Sequence, residues 1–272
     1  MHRPSSKPSS QPEILFVSHG GGPLPLLGDP AHSEMIACLE KLAKRLRRPS
    51  AILVISAHWE ESRPKLTAGK APSLIYDYYG FPEASYSIQY PCPGQPDLAR
   101  QVNAVLQQSG IESAMDEARG YDHGLFVPLK LLFPSADIPC VQLSLDSSLS
   151  AKQHLAMGKA LRGLEWENLL VIGSGFSFHN MRAFFAAETD EGRELNLGFE
   201  QWLHETCTSV ELDENSRALR LVNWEQAPGA RYSHPREEHL LPLHVCYGLA
   251  QAPCTESYML SILNKRASMY LW

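Results

Sequence analysis

Four apolar runs along the chain are bounded by turn-forming residues: ILFVSHGGG (14–22), AILVISAHW (51–59), IPCVQLSLD (138–146) and NLLVIGSG (168–175). They are short and nearly continuous in apolar character, which predicts strands buried on both faces. Elsewhere the apolar spacing widens to that of a helix. From His32 to Arg48 the residues Met35, Ile36, Leu39, Leu42 and Leu46 share a face, and the basic end suits a helix C-terminus. Pro96 to Gln108 opens on proline and is closed by Gly110, a second helix. Ser150–Leu164, Glu194–Thr208 and Glu237–Leu249 read as three more. Buried strands alternating with helices predict an α/β fold: a single domain with a central, mostly parallel sheet flanked by helices. Residues 72–96, rich in Tyr, Pro and Gly, show no period, and a long irregular excursion in a compact domain is often functional. No repeat or composition shift divides the chain. Residues 13–272 are expected to form one domain behind a disordered tail at 1–12.

Composition removes several function classes. Of 272 residues, 44% are hydrophobic and 20% charged, with net charge −6, so no basic stripe suggests nucleic acid. No apolar run approaches the roughly 20 residues of a membrane span, and the N-terminus has no apolar segment of a secretory signal. The six cysteines form no CxxC pair, and a reducing cytoplasm is the expected location. Eleven histidines against six cysteines predict a metal site built from imidazole and carboxylate.

Three of the strand runs end alike, with a histidine beside small residues: His19 before Gly20-Gly21-Gly22, His58 after Ser56-Ala57, and His179 after Gly173-Ser174-Gly175. In open α/β sheets ligands bind at the carboxyl ends of strands, where residues distant in sequence converge. A fourth motif, His234-Pro235-Arg236-Glu237-Glu238-His239, reads as a helix opening, from which Glu238 or His239 can reach a metal. A fifth is the polar loop Gly120-Tyr121-Asp122-His123-Gly124, where Asp122 can orient His123. His2, His32, His154 and His204 read as surface residues. The glycines after His19 lack the lysine and spacing of a phosphate loop, and Gly173-Ser174-Gly175 does not fit a serine nucleophile elbow.

The ordered blocks SHGGGPLPL, VISAHWE, YDYYGFPEASYSIQYPCPG, GYDHGLFVPLKLLFPSADIPCVQLSLD, GSGFSFHNMR and PREEHLLPLH resemble the class III extradiol ring-cleaving dioxygenases, in the DOPA 4,5-dioxygenase-like branch. The resemblance spans the chain from about Glu13 onward. It implies a non-haem Fe(II) centre, with Zn(II) an alternative metal, acting on a catecholic substrate and dioxygen. It implies His19 and His58 as metal ligands, His239 (alternatively Glu238) as the third, and His179 as catalytic acid/base. His123 matches a histidine that assists catalysis beside substrate or oxygen. Tyr76, Tyr121 and Asp122 are expected to contact substrate, and the aromatic loop bearing Tyr76, Tyr78, Tyr79, Phe81 and Tyr86 to wall the ring. Two other readings of the histidines stand beside this one: a zinc-dependent hydrolase with His179 as base, and a non-catalytic metal-binding protein.

Overall fold

The central strands divide their side chains between two cores, as a sheet covered on both faces requires. In a computed structural model describing residues 12–272, Phe16, Leu53, Ile55 and Val171 face one core, and Leu15, Val17, Ile52, Val54 and Ile172 the other. The strands are β1 (Glu13–Ser18), β2 (Ala51–Glu61), β3 (Lys65–Thr67), β4 (Ala114–Asp116), β5 (Cys140–Asp146), β6 (Leu169–Gly175), β7 (Glu256–Ile262) and β8 (Lys265–Leu271). The helices are α1 (Ser33–Arg45), α2 (Pro96–Gln108), α3 (His123–Leu132), α4 (Ala151–Leu161), α5 (Met181–Phe185), α6 (Asp190–Thr208), α7 (Glu214–Val222), α8 (Ala230–Ser233) and α9 (Leu241–Ala250). One sheet has the order β4-β3-β5-β2-β6-β1-β8-β7. Its centre is parallel, β5 to β2 to β6 to β1, and β8 and β7 extend it antiparallel.

The four apolar runs and the α/β architecture match the expectation, and α2 has the expected bounds. Helix α4 begins one residue later than expected because Ser150 caps it, its hydroxyl accepting from the Gln153 N–H. Two expectations need correction. The helix expected from Glu237 begins only at Leu241, with Pro242 in its first turn; Glu238 and His239 lie in the turn before it. His123 is not in a loop but is the first residue of α3, capped by Asp122, whose carboxylate accepts from the Gly124 N–H.

The expected tail, apart from Pro12, and His2 lie outside the described residues. His32 and His154, expected at the surface, have no exposed area. His32 Nε2 accepts from the Gly21 N–H at 2.9 Å while Nδ1 meets Asp29 at 2.6 Å, so it braces the glycine loop. His154 Nδ1 donates to the Ser150 carbonyl, and Nε2 accepts from the Asp146 N–H. His204 is half-buried.

Candidate metal centre and active site

Strands β2, β6 and β1 are neighbours, so their carboxyl ends form one ledge. His19 follows β1 directly, and its backbone N–H donates to the Gly175 carbonyl of β6 at 2.9 Å. His58 leaves the sheet by a bulge: β2 pairs with β5 through Ser56, then resumes only at Glu60, so Ala57–Trp59 are displaced from the ladder. His239 arrives from the turn before α9. That turn sits tightly on β6, because a Cβ on Gly175 would lie 2.1 Å from the His239 carbonyl and one on Gly173 2.7 Å from the Pro242 carbonyl. The Gly173-Ser174-Gly175 segment is therefore a close-packing surface.

The three imidazoles form a near-equilateral triangle, with ring centroids 4.9 Å apart for His19–His58 and His58–His239 and 5.3 Å for His19–His239. Hydrogen bonding fixes the tautomers of His19 and His239. Ser174 Oγ donates to the Gly124 carbonyl, so it must accept from His19 Nδ1, 3.0 Å away. A carboxylate only accepts, so His239 Nδ1 donates to Glu238 Oε1 at 2.9 Å. Both rings keep Nε2 as a free lone pair. His19 Nε2 and His58 Nε2 face each other at 3.0 Å. Two nitrogens each about 2.1 Å from one ion at a right angle lie about 3 Å apart, so the pair fits a shared metal. Burial first, then the neighbouring imidazoles, holds His19 far below the usual histidine range. His58 and His239 are depressed for the same reasons, and burial is the largest cause in both. All three are neutral donors, the form a metal requires.

Two more histidines complete the cluster, each tied at Nδ1 to a carboxylate. His123 donates to Asp77 Oδ2 at 2.9 Å, and its backbone N–H donates to Asp77 Oδ1. Burial is the largest single influence and works against the Asp77 anion, but the bonds and charge of His123 together with His58 outweigh it and Asp77 stays below its usual range. His179 Nδ1 lies 3.2 Å from the Glu238 Oε1 that also receives His239, and the two rings stack 3.4 Å apart, 16° from parallel. Burial is the largest single influence and raises Glu238, but His179, its own backbone and Arg236 together outweigh it and hold the carboxyl below its usual range. Glu238 Oε1 is thus engaged by two imidazoles, and this carboxylate borders a neighbouring cleft with His179, Arg182 and Arg236 instead of the histidine cavity. Of the two candidates for third ligand, His239 has its ring centroid 5.3 Å from His19 and 4.9 Å from His58, and Glu238 bonds its Nδ1; donor nitrogens of His19, His58 and His123 also lie within 4.8 Å of one another.

Above the histidines lies a cavity of about 290 Å³, walled by Gly20–Gly22, Leu24, Tyr78, Phe81, Met181, Phe184, Phe185 and Leu263. Gly22, at φ +54°, allows the Phe81 ring to approach where a Cβ would stand 3.2 Å from it. From the aromatic loop only Tyr78 and Phe81 reach the cavity. The three expected substrate contacts are placed elsewhere. Tyr121 is fully buried and donates to the Cys140 carbonyl at 2.6 Å. Tyr76 donates to the Ile88 carbonyl at 2.7 Å. Asp122 is buried beneath the site, accepting from Ser56 Oγ at 2.8 Å and pairing with Arg119 at 3.2 Å. Their polar atoms are consumed in holding the scaffold. The sequence reading missed Asp77, Ser174 and Phe184. A carboxylate inside the tyrosine-rich YDYYG stretch was the available sign for Asp77; nothing local marked Ser174 as the orienter of His19.

Residues 13–264 match the family described as "Catalytic LigB subunit of aromatic ring-opening dioxygenase". The chain is 41% identical over 254 residues to "Dioxygenase tasH" of Hapsidospora irregularis, covering 87% of this chain and 78% of that protein. It is 38% identical to the "4,5-DOPA dioxygenase extradiol" of Beta vulgaris (88% and 87% covered). It is 36% identical to the protein of that name from Escherichia coli K12 (91% and 89% covered). A crystal structure of an uncharacterized Escherichia coli K12 protein superposes with a TM-score of 0.72 at 31% identity, over 95% of this chain and 98% of that one.

Proposed function

This chain belongs to the LigB family of aromatic ring-opening dioxygenases, in its DOPA dioxygenase-like branch, and we propose that it cleaves catechol-type rings beside the diol, with both atoms of dioxygen retained in the product. The observation that carries the reading is the His19–His58–His239 triangle, with Nδ1 of His19 and of His239 tied back so that Nε2 is free. These three hold the metal in our reading; an all-imidazole set suits Fe(II) and Zn(II) alike, and the ring-opening chemistry of the family favours Fe(II). When bound, Fe(II) supplies a grip on both ring oxygens and electron density for dioxygen, whereas Zn(II) supplies the grip without the redox step.

The chain's own groups handle protons and water. A catechol must lose protons to chelate. His179 has Nδ1 committed to Glu238, so its Nε2 is the lone pair that takes a hydroxyl proton. The Glu238 carboxylate then stabilises the imidazolium, and the same nitrogen returns the proton as the ring opens. His123, whose Nδ1 donates to Asp77, keeps Nε2 as an acceptor in the same cavity, where it takes a hydrogen bond from the second catechol hydroxyl. The rings of Tyr78, Phe81 and Phe184 exclude water that would dissipate the protons and quench reactive oxygen.

The test is anaerobic Fe(II) loading followed by oxygen uptake over a catechol panel, with a yellow ring-opened semialdehyde read by absorbance. One dioxygen consumed per ring opened is expected. Stoichiometric Fe(II) with no oxygen uptake from any catechol would remove the ring-cleaving reading.

A further inference from the structure

The family's named relatives include dioxygenases of DOPA, whose side chain bears an ammonium and a carboxylate. The cavity of this chain is built for something else. Beyond the histidines and the glycine loop, its walls are Leu24, Phe81, Met181, Phe184, Phe185 and Leu263, together with the ring face of Tyr78. The Tyr78 hydroxyl is turned away and donates to the Ser85 carbonyl at 2.7 Å. No lysine, arginine, aspartate or glutamate lines the cavity among the described residues.

The histidines offer no spare cation either. His19, His58 and His239 are the proposed metal ligands, clustered with ring centroids 4.9–5.3 Å apart, and are not available to pair with a substituent. Any positive charge on His123 or His179 is already matched, by Asp77 at 2.9 Å and Glu238 at 3.2 Å. The neighbouring guanidinium groups are committed or elsewhere. Arg236 grips Glu60 with two bonds of 2.6 Å, Arg119 pairs with Asp122, and Arg182 borders the adjoining cleft instead of this cavity. At the end of the cavity away from the diol and the metal proposed to hold it, a substrate carboxylate would meet no charged side chain to pair with among the lining residues. An apolar substituent would instead bury its surface against three phenylalanines.

We propose that this enzyme's substrates are catechols whose ring substituent is uncharged and apolar, an aryl or branched alkyl group, and that it discriminates against catechols bearing a carboxylate or an amino-acid side chain. The proposal rests on the ring-cleaving reading for the diol end of the substrate. The wall residues carry the other end.

The experiment measures affinity and turnover separately. Calorimetry on the anaerobic Fe(II)-loaded protein compares 4-phenylcatechol and 4-tert-butylcatechol with protocatechuate and DOPA. The diol-free pair 4-phenylphenol and 4-hydroxybenzoate is titrated alongside. Oxygen is then admitted and kcat/KM obtained for each catechol. The apolar compounds are expected to bind at least about tenfold more tightly, the discrimination a hydrophobic pocket gives, and to be turned over with the same preference. Phe185→Arg provides the second arm: Phe185 is 84% exposed, so the change spares the fold while placing a guanidinium at the cavity wall. It is expected to move the ratio of protocatechuate to 4-phenylcatechol affinity by about tenfold toward the acid.

Oxygen uptake with DOPA or protocatechuate preferred would overturn the proposal and leave ring cleavage standing. Preference for 4-phenylphenol over 4-hydroxybenzoate with no oxygen uptake from any catechol would support the apolar cavity and remove the ring-cleaving reading. Equal binding of the phenol pair in wild type, or an unmoved ratio in Phe185→Arg, would count against the proposal directly.

Discussion

Glu238→Gln separates a carboxylate that holds the metal from one that holds the histidines holding it. Glu238 Oε1 receives Nδ1 of His239 at 2.9 Å and of His179 at 3.2 Å. A hydrogen bond to a charged acceptor contributes about 1.5–3 kcal/mol and one to a neutral acceptor about 0.5–1.5. Glutamine keeps an acceptor and loses the charge, so each bond weakens by about 1–1.5 kcal/mol, or roughly tenfold. Only the His239 bond bears directly on the metal, and outer partners of ligating histidines typically change metal affinity about 10–100-fold. Glu238→Gln is therefore expected to raise the metal dissociation constant by about 10–100-fold, still filling at saturating Fe(II), and to lower kcat further through His179. His239→Ala removes the proposed third ligand and is expected to leave no stoichiometric metal. The assay is chelator competition with metal content read by elemental analysis, alongside His19→Ala as the empty-site reference. A Glu238→Gln protein as empty as His19→Ala, with His239→Ala still loaded, would refute the reasoning and make Glu238 the ligand.

Three further outcomes follow from the same geometry. His179→Ala is expected to keep its metal and lose about 10²–10⁴ in turnover, with the acid limb of the pH–rate profile altered; metal loss equal to that of His19→Ala would make it a ligand instead. Gly124→Ala places a Cβ 2.4 Å from Ser56 Oγ and 3.2 Å from the His58 ring, and is expected to cost about 1–3 kcal/mol in denaturant unfolding and to weaken metal binding; wild-type values in both would contradict the packing. Burial depresses His154 to about 4 and His234 to about 3, so below pH 6.5 the unfolded chain binds protons the folded chain refuses. Each then removes about 1.4 kcal/mol of stability per pH unit, roughly 7 kcal/mol together by pH 4. Glu200, raised to about 7 chiefly by burial, opposes them, since the folded chain takes its proton first as pH falls toward 4.5. That returns about 3 kcal/mol, so Glu200→Gln is expected to steepen the acid loss, and parallel stability curves for the two proteins would overturn the assignment.

Much of the frame was legible because it rests on local physics. Short, nearly continuous apolar runs bounded by turn residues point to strands covered on both faces, and helical spacing with Pro96 and Gly110 as punctuation set α2 to the residue. The β7–β8 hairpin was not read: its turn carries Leu263 and Asn264 at φ +52° and +61° in place of the usual Asn-Gly, so no turn signal stood out. The strand-end histidines were visible as chemistry, but their meeting depends on β6 lying between β1 and β2, and strand order is a property of long-range pairing. Whether Glu238 or His239 faces His19 was likewise undecidable from two adjacent letters. The turn before α9 is what places them: the β6 glycines let its backbone approach closely, the His239 ring comes beside His19 and His58, and Glu238 bonds the Nδ1 of that ring. Tyr76, Tyr121 and Asp122 show the converse: residue type suggested contact with substrate, and only the fold revealed that their polar atoms were already spent on backbone carbonyls, Ser56 and Arg119. Sequence determines which groups are available and where the chain must be buried. Which lone pairs stay free depends on partners up to 155 residues away, as Ser174 is from His19, and only tertiary packing brings them within bonding distance.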